Sequence, residues 1–503
     1  MAIPPPRRGE EFPTPLPAAD EIKPAGDPLM LYAGQVVQPI DLPSTLRLAG
    51  ARDLDIAIAR QRIAESVADL SAARALWLPS LFVGPTWTRL DGQVQTIQGP
   101  VITTSRSALF LGATAAGGTA ISAAPPGSGY PPVNGLTSVL RFSDAIFEPL
   151  AARKVLSARR AGYEATTNDA LLTVAIAYLE LQFAAGRLVV AREAAGHATR
   201  LAEITSAYER TGAGLEADYK RSLTEKDHQD QLAAAAAGDL KVASAEIIRL
   251  LNLDPRLVVA PTEPPEMLFR LVSDRCLLDD LIVEALHHRP ELAQAQAIVG
   301  ATLARLKQAR LRPLIPSLAW SYAGGGFGGG QNAFFGNFSS RGDAAVSLNW
   351  ELQNLGFTDV ALMRKAEAQN RVAAIELIKT ENQVAADVVS AFETRSAASL
   401  RLDRAARART EAIRSLELNF LNIERGAALP GAPRPIEVLQ PVQALAQVRT
   451  DYLAAAIAYN RAQFQLYRAL GHPPLAPQPA GPPTLPRGDA VGAIPARGEA
   501  PPR

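Results

Sequence analysis

A helical pattern of unusual length limits the fold of this chain more than any other feature. Residues 150–211 are rich in alanine and leucine, and no proline stands between Pro149 and Pro255. At 1.5 Å per residue this pattern would form a helix of roughly 90 Å. It pairs one large and one small residue at heptad spacing, which is typical of closely packed coiled-coil helices. The first series of heptad positions is Val174, Leu181, Leu188, Ala195 and Ala202, and the companion series is Ala177, Ala184, Ala191 and Ala198.

Residues 436–470 repeat this heptad pattern near the end of the chain. Gly212 and Gly214 interrupt the first long helical pattern, and the run 426–435 interrupts another at about 358–424. Each half of the chain is therefore predicted to hold a long antiparallel helical hairpin, over 150–252 and over 358–471. Such a hairpin is far taller than an ordinary globular domain.

One short motif occurs twice and divides the chain into two repeats. Residues 73–81 read ARALWLPSL, and residues 309–318 read ARLRPLIPSL. Each motif follows a helical pattern (52–74 and 277–312) and precedes a strand, a loop, a second strand and two long helices. This order predicts an internal duplication with repeats at 41–262 and 263–472. Pro79 and Pro316 mark the change from helix to strand, because proline cannot continue a helix.

Four strands are predicted, at 79–90, 135–147, 316–324 and 343–352, and a loop at about 91–134 joins the first two. The strand DAAVSLNWEL (343–352) alternates with period two and places Ala344, Val346, Leu348 and Trp350 on one face. Two hairpins on a soluble core explain the pattern as well as membrane strands do. Membrane strands need about 9–11 residues, and open edges are not tolerated in lipid. If the strands span a membrane, several chains must therefore share one barrel.

Composition excludes several classes of protein. The net charge of +1 gives no strong electrostatic case for nucleic-acid binding. The single cysteine, Cys276, excludes an internal disulfide and any CxxC site. No uninterrupted run of 18 apolar residues occurs, so we expect no transmembrane helix.

The two ends are predicted to be extended tails. Residues 1–40 and 473–503 are rich in proline, which is typical of extended or disordered segments. The N-terminal residues contain no apolar core of a signal peptide, so none is expected in this sequence.

The order of elements and three longer segments resemble the TolC-type outer-membrane efflux protein family. The segments are AYERTGAGLEADYKRS (207–222), NIERGAALPGAPRPIEVL (422–439) and RPIEVLQPVQALAQVRTDYLAAAIAYNRAQFQLYRALG (434–471). The resemblance covers about residues 41–472. One departure is that the second hairpin tip is lengthened by residues 427–434.

The resemblance implies a mainly helical fold with a small β part. Three identical chains would each give four strands to one twelve-stranded outer-membrane β-barrel. Their helical hairpins would form an α-barrel that reaches into the periplasm. The implied function is a passive exit duct of a tripartite efflux or type I secretion system. The implied partners are two further copies, a periplasmic adaptor protein, an inner-membrane pump reached through the adaptor, and outer-membrane lipid.

The resemblance also assigns roles to single residues. Glu437 stands where the family narrows the periplasmic entrance with acidic residues, Asp218 is the matching position of the first tip, and Gln440 replaces a second acid. A plain helix N-terminal role for Glu437 has equal weight, since a carboxylate is favourable there. The expected adaptor-docking residues are those of the two tips: Arg210, Gly212, Gly214, Leu215, Arg425 and Gly426.

Four aromatic residues in strand context are predicted to form interfacial girdles, although packing in a core is the alternative. They are Trp87, Trp320, Tyr322 and Trp350.

We find no catalytic or cofactor motif in the sequence. The five histidines lack metal-ligand spacing, and Gly324, Gly326 and Gly329 match GxGxxG between two strands with no helix after them. We therefore predict that the protein is not an enzyme and binds no cofactor. Two alternatives to a channel remain, a soluble coiled-coil scaffold and a periplasmic adaptor subunit, although an adaptor normally has one hairpin flanked by small β-domains.

Overall fold

A computed structural model describes residues 36–95, 98–117, 119–121, 137–212, 214–273, 275–331, 336–350, 353–426 and 435–473. The two predicted tails lie almost entirely outside these residues, as do the residues 427–434 that lengthen the second tip. The helices of the described part are α1 (Leu42–Arg52), α2 (Leu54–Ala75), α3 (Phe142–Arg210), α4 (Glu216–Leu250), α5 (Leu278–His288), α6 (Pro290–Leu311), α7 (Phe357–Gly426) and α8 (Leu439–Ala469).

Helices α3 and α7 are the longest elements, with 69 and 70 residues. At 1.5 Å per residue each is about 100 Å long. The heptad positions predicted in α3 are buried at Val174, Leu181, Leu188 and Ala198. In α8, Leu445, Tyr452, Tyr459 and Leu466 are buried in the same way. The predicted helical hairpins are thus present as α3–α4 and α7–α8.

The strands are β1 (Val36–Ile40), β2 (Pro79–Gln95), β3 (Val101–Gly117), β4 (Thr119–Ile121), β5 (Thr137–Arg141), β6 (Leu257–Pro261), β7 (Ser317–Gln331) and β8 (Ser339–Asn349). The pair β1–β6 is parallel and lies apart from the other strands. In the larger antiparallel sheet, β2 pairs with β3, β3 with β7, and β7 with β8. Four long strands therefore lie side by side.

Two strand predictions in the first half are wrong. Residues 101–117 form β3, where a loop was predicted. The strand predicted at 135–147 ends at Arg141, because α3 begins at Phe142. Along β7, Ala116 pairs with Ser321 and Ser138 pairs with Trp320, so β5 continues the line of β3. The second strand of the first repeat is thus split into two pieces.

The elements lie side by side and form a wall. Along its length the wall has three levels, which are the strands, the helices next to the strands and the helices at the far end, and each level is four elements wide. The strands follow the order β2–β3–β7–β8. Beside them α2 packs on α3, α3 on α6, and α6 on α7; at the far level α4 packs on α3, α3 on α8, and α8 on α7. One vertical edge of the wall is therefore formed by β2, α2 and α4, and the other by β8 and α7.

The middle of the wall holds the largest buried cluster. Tyr178 of α3 is fully buried, and its hydroxyl reaches both the Glu263 carboxylate and the Ile40 carbonyl oxygen, the latter at 3.1 Å. Burial, together with the Glu263 carboxylate, raises the pKa of Tyr178. The other Glu263 oxygen accepts a hydrogen bond from the backbone N–H of Leu42 at 2.8 Å, at the start of α1. These contacts fix the β1–β6 pair against α3.

Among the described helices, α3 contains a window that is apolar enough to cross a membrane, although the sequence predicted no transmembrane helix. Of this 18-residue window, 56% is buried inside the protein. Core helices have the same composition.

Candidate functional site

A cavity of 980 Å³ lies at the far end of the wall, where α4 and α7 approach the start of α8. Its polar lining comes from all three segments: Arg221 and Glu225 of α4, Ser415 and Asn419 of α7, and Glu437, Gln440 and Gln443 at the start of α8. We call this space the tip cavity. It brings together residues from both repeats.

Two of the three predicted entrance residues line the tip cavity. Glu437 and Gln440 are exposed, and both face the cavity. Asp218 lies in the first turn of α4, is partly buried, and does not line it. The structure of one chain therefore places Glu437 with Gln440 and leaves Asp218 nearby on the first tip.

Sequence reasoning missed the acid that joins the two repeats at this cavity. Glu225 is buried, and its carboxylate accepts hydrogen bonds from the side-chain amides of Gln229 at 2.7 Å and Gln443 at 2.8 Å. Gln443 belongs to α8, so Glu225 links the first hairpin to the last helix. Nothing in the sequence marks this pair, because its two members are 218 residues apart.

The predicted docking residues form the ends of the hairpins. Arg210 ends α3, and Gly212 follows with a left-handed φ of +73° that favours glycine. The Gly214 N–H donates to the Tyr208 carbonyl at 3.0 Å, and exposed Leu215 stands before the first turn of α4. At the second tip, Arg425 and Gly426 end α7.

An apolar cluster packs α3 against α7 and α8 close to the tips. It contains Leu201, Leu416, Phe420, Val438, Val442 and Leu445. The guanidinium of Arg200 lies 4.8 Å from the ring centre of Phe420, and the His197 ring lies 6.2 Å from it. Burial, and to a smaller extent the charge of Arg200, lower the pKa of His197. An ion pair between Glu193 of α3 and Arg449 of α8 lies beside this cluster.

The register of the large sheet places the predicted girdle aromatics on one face. Trp87 lies opposite Leu109, which lies opposite Gly328; Tyr322 lies opposite Ala344, and Trp320 opposite Val346. Trp87, Tyr322 and Val346 are 51%, 53% and 76% exposed. The row of paired residues that contains Trp87 crosses β7 at Gly328. Trp320 lies on β7 eight residues before Gly328, or about 26 Å along the strand. This distance matches the apolar band of about 25 Å on outer-membrane barrels.

Phe338 belongs to the same face and was missed by sequence reasoning. Its ring covers Gly326 and Gly328, where any Cβ would collide with it. Gly328 lies in the row of Trp87, so Phe338 extends that aromatic row across β7. The glycine-rich run 324–330, which is interrupted by Phe327, was the available signal, since it leaves room for a large neighbouring ring.

The strand boundaries place the two prolines of the repeated motif. Pro79 is the first residue of β2, and Pro316 immediately precedes β7. Trp350 follows the end of β8 and is 61% exposed. We call the level at which helices change to strands the junction.

Known proteins match this chain in two ways, through a family model and through solved structures. Residues 281–472 match the family model described as outer membrane efflux protein. No curated protein matches the chain in sequence.

Solved structures share the fold over most of the chain. A membrane protein of Pseudomonas aeruginosa superposes with a TM-score of 0.69 at 16% identity and covers 86% of this chain and 93% of its own. The MtrE outer-membrane channel of Neisseria gonorrhoeae gives 0.68 at 17% identity, over 86% and 88%. The outer membrane protein VceC of Vibrio cholerae gives 0.67 at 16%, over 86% and 96%.

The wall of hairpins and strands thus has the architecture of the outer-membrane channel proteins. The predicted resemblance to the TolC-type outer-membrane efflux protein family is confirmed, because residues 281–472 match the family model and 86% of the chain shares the fold of these solved structures.

Proposed function

We propose that this chain is one subunit of a homotrimeric exit duct in the outer membrane, with its helical part in the periplasm. The observation that carries the proposal is the wall with two open vertical edges and one apolar strand face. Such a wall is an incomplete barrel at each of its three levels.

The strand level requires partners. Within the described residues β2 pairs with β3 alone, and β8 pairs with β7 alone. Unpaired backbone groups on a strand edge cost several kcal/mol each in lipid, so the edges must meet other strands. Four long strands are too few for a membrane barrel, which needs about eight or more. Three copies joined β8 to β2 give twelve strands and a closed head-to-tail ring.

The helical levels support the same closure. Leu54 and Ile58 are exposed on the edge helix α2, and Val372 and Ile375 are exposed on the opposite edge helix α7. Exposed apolar surface of this kind marks a contact with another protein surface. If copies of the chain join through their strands, α7 of one copy would also lie beside α2 of the neighbouring copy.

Transport through such a duct is passive. The tip cavity, with Glu437, Gln440 and the Glu225–Gln443 link, is proposed to form the periplasmic gate. The tips at Gly212, Gly214 and Leu215, and at Arg425 and Gly426, are proposed to receive a periplasmic adaptor that connects the duct to an inner-membrane pump. Cargo is then chosen by the pump, so the duct serves efflux of small molecules or secretion of proteins.

Fractionation and conductance test this proposal together. The full chain should sediment with outer membranes, require detergent for extraction, and give discrete conductance steps in planar bilayers. Recovery as a detergent-free monomer in the soluble fraction would contradict it and would favour a coiled-coil scaffold.

A further inference from the structure

Large apolar side chains stand out at the junction on one edge of the wall. Between β8 and α7, Trp350 is 61% exposed, Leu355 is 90% exposed and Phe357 is 79% exposed. Trp350 directly follows β8, Leu355 belongs to the short 3₁₀ turn Gln353–Gly356, and Phe357 begins α7. The Gln353 N–H donates to the buried Asp359 carboxylate at 3.0 Å, which holds this turn against the start of α7.

The backbone of this turn is in a rare conformation. Asn354, Leu355 and Gly356 have φ values of 49°, 57° and 88°. Glycine and asparagine adopt the left-handed region readily, whereas leucine does so at a cost. That conformation holds Leu355 away from its own chain, where it makes almost no contact. A strained turn that presents a bare leucine is expected where something outside the chain receives the side chain.

The opposite edge of the wall carries apolar side chains at the same level. At the end of α2, Trp77 is 50% exposed and Leu78 is 68% exposed, and Pro79 then opens β2. Trp77 rests partly on Phe142, with 6.1 Å between ring centres. The two edges are therefore alike in character and lie on opposite sides of one chain.

We propose that these two patches form a clasp between neighbouring copies, in which Leu355 and Phe357 of one chain pack on Trp77 and Leu78 of the next. The clasp rests on the proposed trimer and adds the residues that lock it at the junction. The second copy is the occupant because the open strand edges continue into these patches. If β8 of one copy pairs with β2 of the next, the turn after β8 meets the residues before β2.

Disulfide cross-linking tests the contact directly. In the full chain with Cys276→Ser, Leu78→Cys and Leu355→Cys are combined and the protein is oxidised in its membrane. Within one chain β2 and β8 are separated by β3 and β7, or about 14 Å. A disulfide needs Cα atoms closer than about 7 Å, so any bond must join two chains. The clasp predicts covalent dimers and trimers on a non-reducing gel, and monomers for each single cysteine variant.

Leu314 supplies the matched control. It is 70% exposed at the junction between α6 and β7, in the middle of the wall. Leu78→Cys with Leu314→Cys should give no covalent oligomer. Equal cross-linking of both pairs, or no cross-linking of Leu78→Cys with Leu355→Cys in a protein that is trimeric by mass, overturns the clasp. A monomeric mass overturns both the clasp and the proposed function.

A second pair of variants separates a protein contact from a lipid contact. Leu355→Gly removes the side chain and relieves the left-handed strain, so the isolated chain should fold at least as well. We expect about a tenfold larger monomer fraction in detergent, which corresponds to losing one buried leucine per interface. Leu314→Gly should leave the trimer unchanged. Equal effects of the two variants would assign the junction leucines to lipid and overturn the clasp.

Discussion

Glu437 is the residue whose charge most directly affects the proposed gate. It is exposed in the tip cavity, and a threefold arrangement would bring three copies of it near the pore axis. Like charges in a narrow pore raise the local concentration of cations. We therefore predict that the trimer prefers cations, that Glu437→Gln weakens this preference, and that Glu437→Arg reverses or abolishes it.

Reversal potentials in planar bilayers under a salt gradient measure that preference. Asp451→Asn is the control, because Asp451 is an exposed acid of the same region of the chain that does not line the tip cavity. Unchanged selectivity in both Glu437 variants would remove this residue from the entrance.

Glu225 is the residue that holds the first hairpin to α8. Glu225→Ala would leave the side-chain amides of Gln229 and Gln443 without their buried acceptor. We predict a loss of about 1–3 kcal/mol in the free energy of unfolding, measured by urea denaturation in detergent. Gln447→Ala removes an exposed amide–carboxylate contact on α8 and should change stability by less than about 0.5 kcal/mol. Equal small effects would show that the Glu225 link does not hold the tip.

At the scale of elements, the long helices were predictable and one strand was not. Heptad spacing from Val174 to Leu188 requires a packed helix in any fold, and these residues are buried as predicted. Residues 101–117 read as a loop because Thr, Ser, Ala and Gly dominate them. Small residues occur on both faces of β3, so its apolar alternation is weak. The alternation before Phe142 continued into a helix start, because Ser143 and Ala145 of α3 are buried two residues apart, a spacing that also fits a strand.

The tip cavity could not be predicted from the sequence. Its lining comes from α4, α7 and α8, and contacts between segments some 200 residues apart leave no local pattern. Glu437 and Gln440 were found through the family resemblance, whereas Arg221 and Glu225 needed the folded chain.

Helices α3 and α8 approach closely at Gly186. A Cβ at this position would lie 2.9 Å from side-chain carbons of both Leu453 and Pro265. Gly186→Val should therefore push α3 from α8 and reduce the free energy of unfolding by about 1–3 kcal/mol. Gly196→Ala is the matched change on the same helix, where nothing lies within 4 Å, and it should stabilise by up to about 1 kcal/mol. A harmless Gly186→Val in urea denaturation would contradict this packing.

The contact of α3 with α7 should weaken in acid because of His197. Burial lowers the pKa of His197 below its ordinary value of 6.5 in the folded protein. The unfolded chain then binds the proton more readily, so this histidine lowers stability as the pH falls through that value. Arg200 and Phe420 face the ring, and the Glu193–Arg449 ion pair lies beside it.

Unfolding of the wild type and His197→Gln at pH 7.5 and pH 5.5 checks this effect. The variant should lose less stability between the two pH values than the wild type does. An identical loss in both proteins would exclude His197 as a source of acid sensitivity.

At the scale of the whole molecule, the four-element order recurs at the strands and at both helical levels. The repeated ARALWLPSL and ARLRPLIPSL motifs place α2 and α6 alike before β2 and β7. Each of the two predicted repeats therefore supplies two of the four elements at every level. A structure built in this way has two unpaired edges at every level. A ring of identical copies can pair the edges of all levels at once.

The mass of the detergent-solubilised full chain tests this account most directly. One chain has a mass of 53.4 kDa. Light scattering corrected for bound detergent, or native mass spectrometry, should give three times that value. A stable monomer that still inserts into bilayers and conducts ions would contradict the shared barrel, because its strand edges would then have to close within one chain.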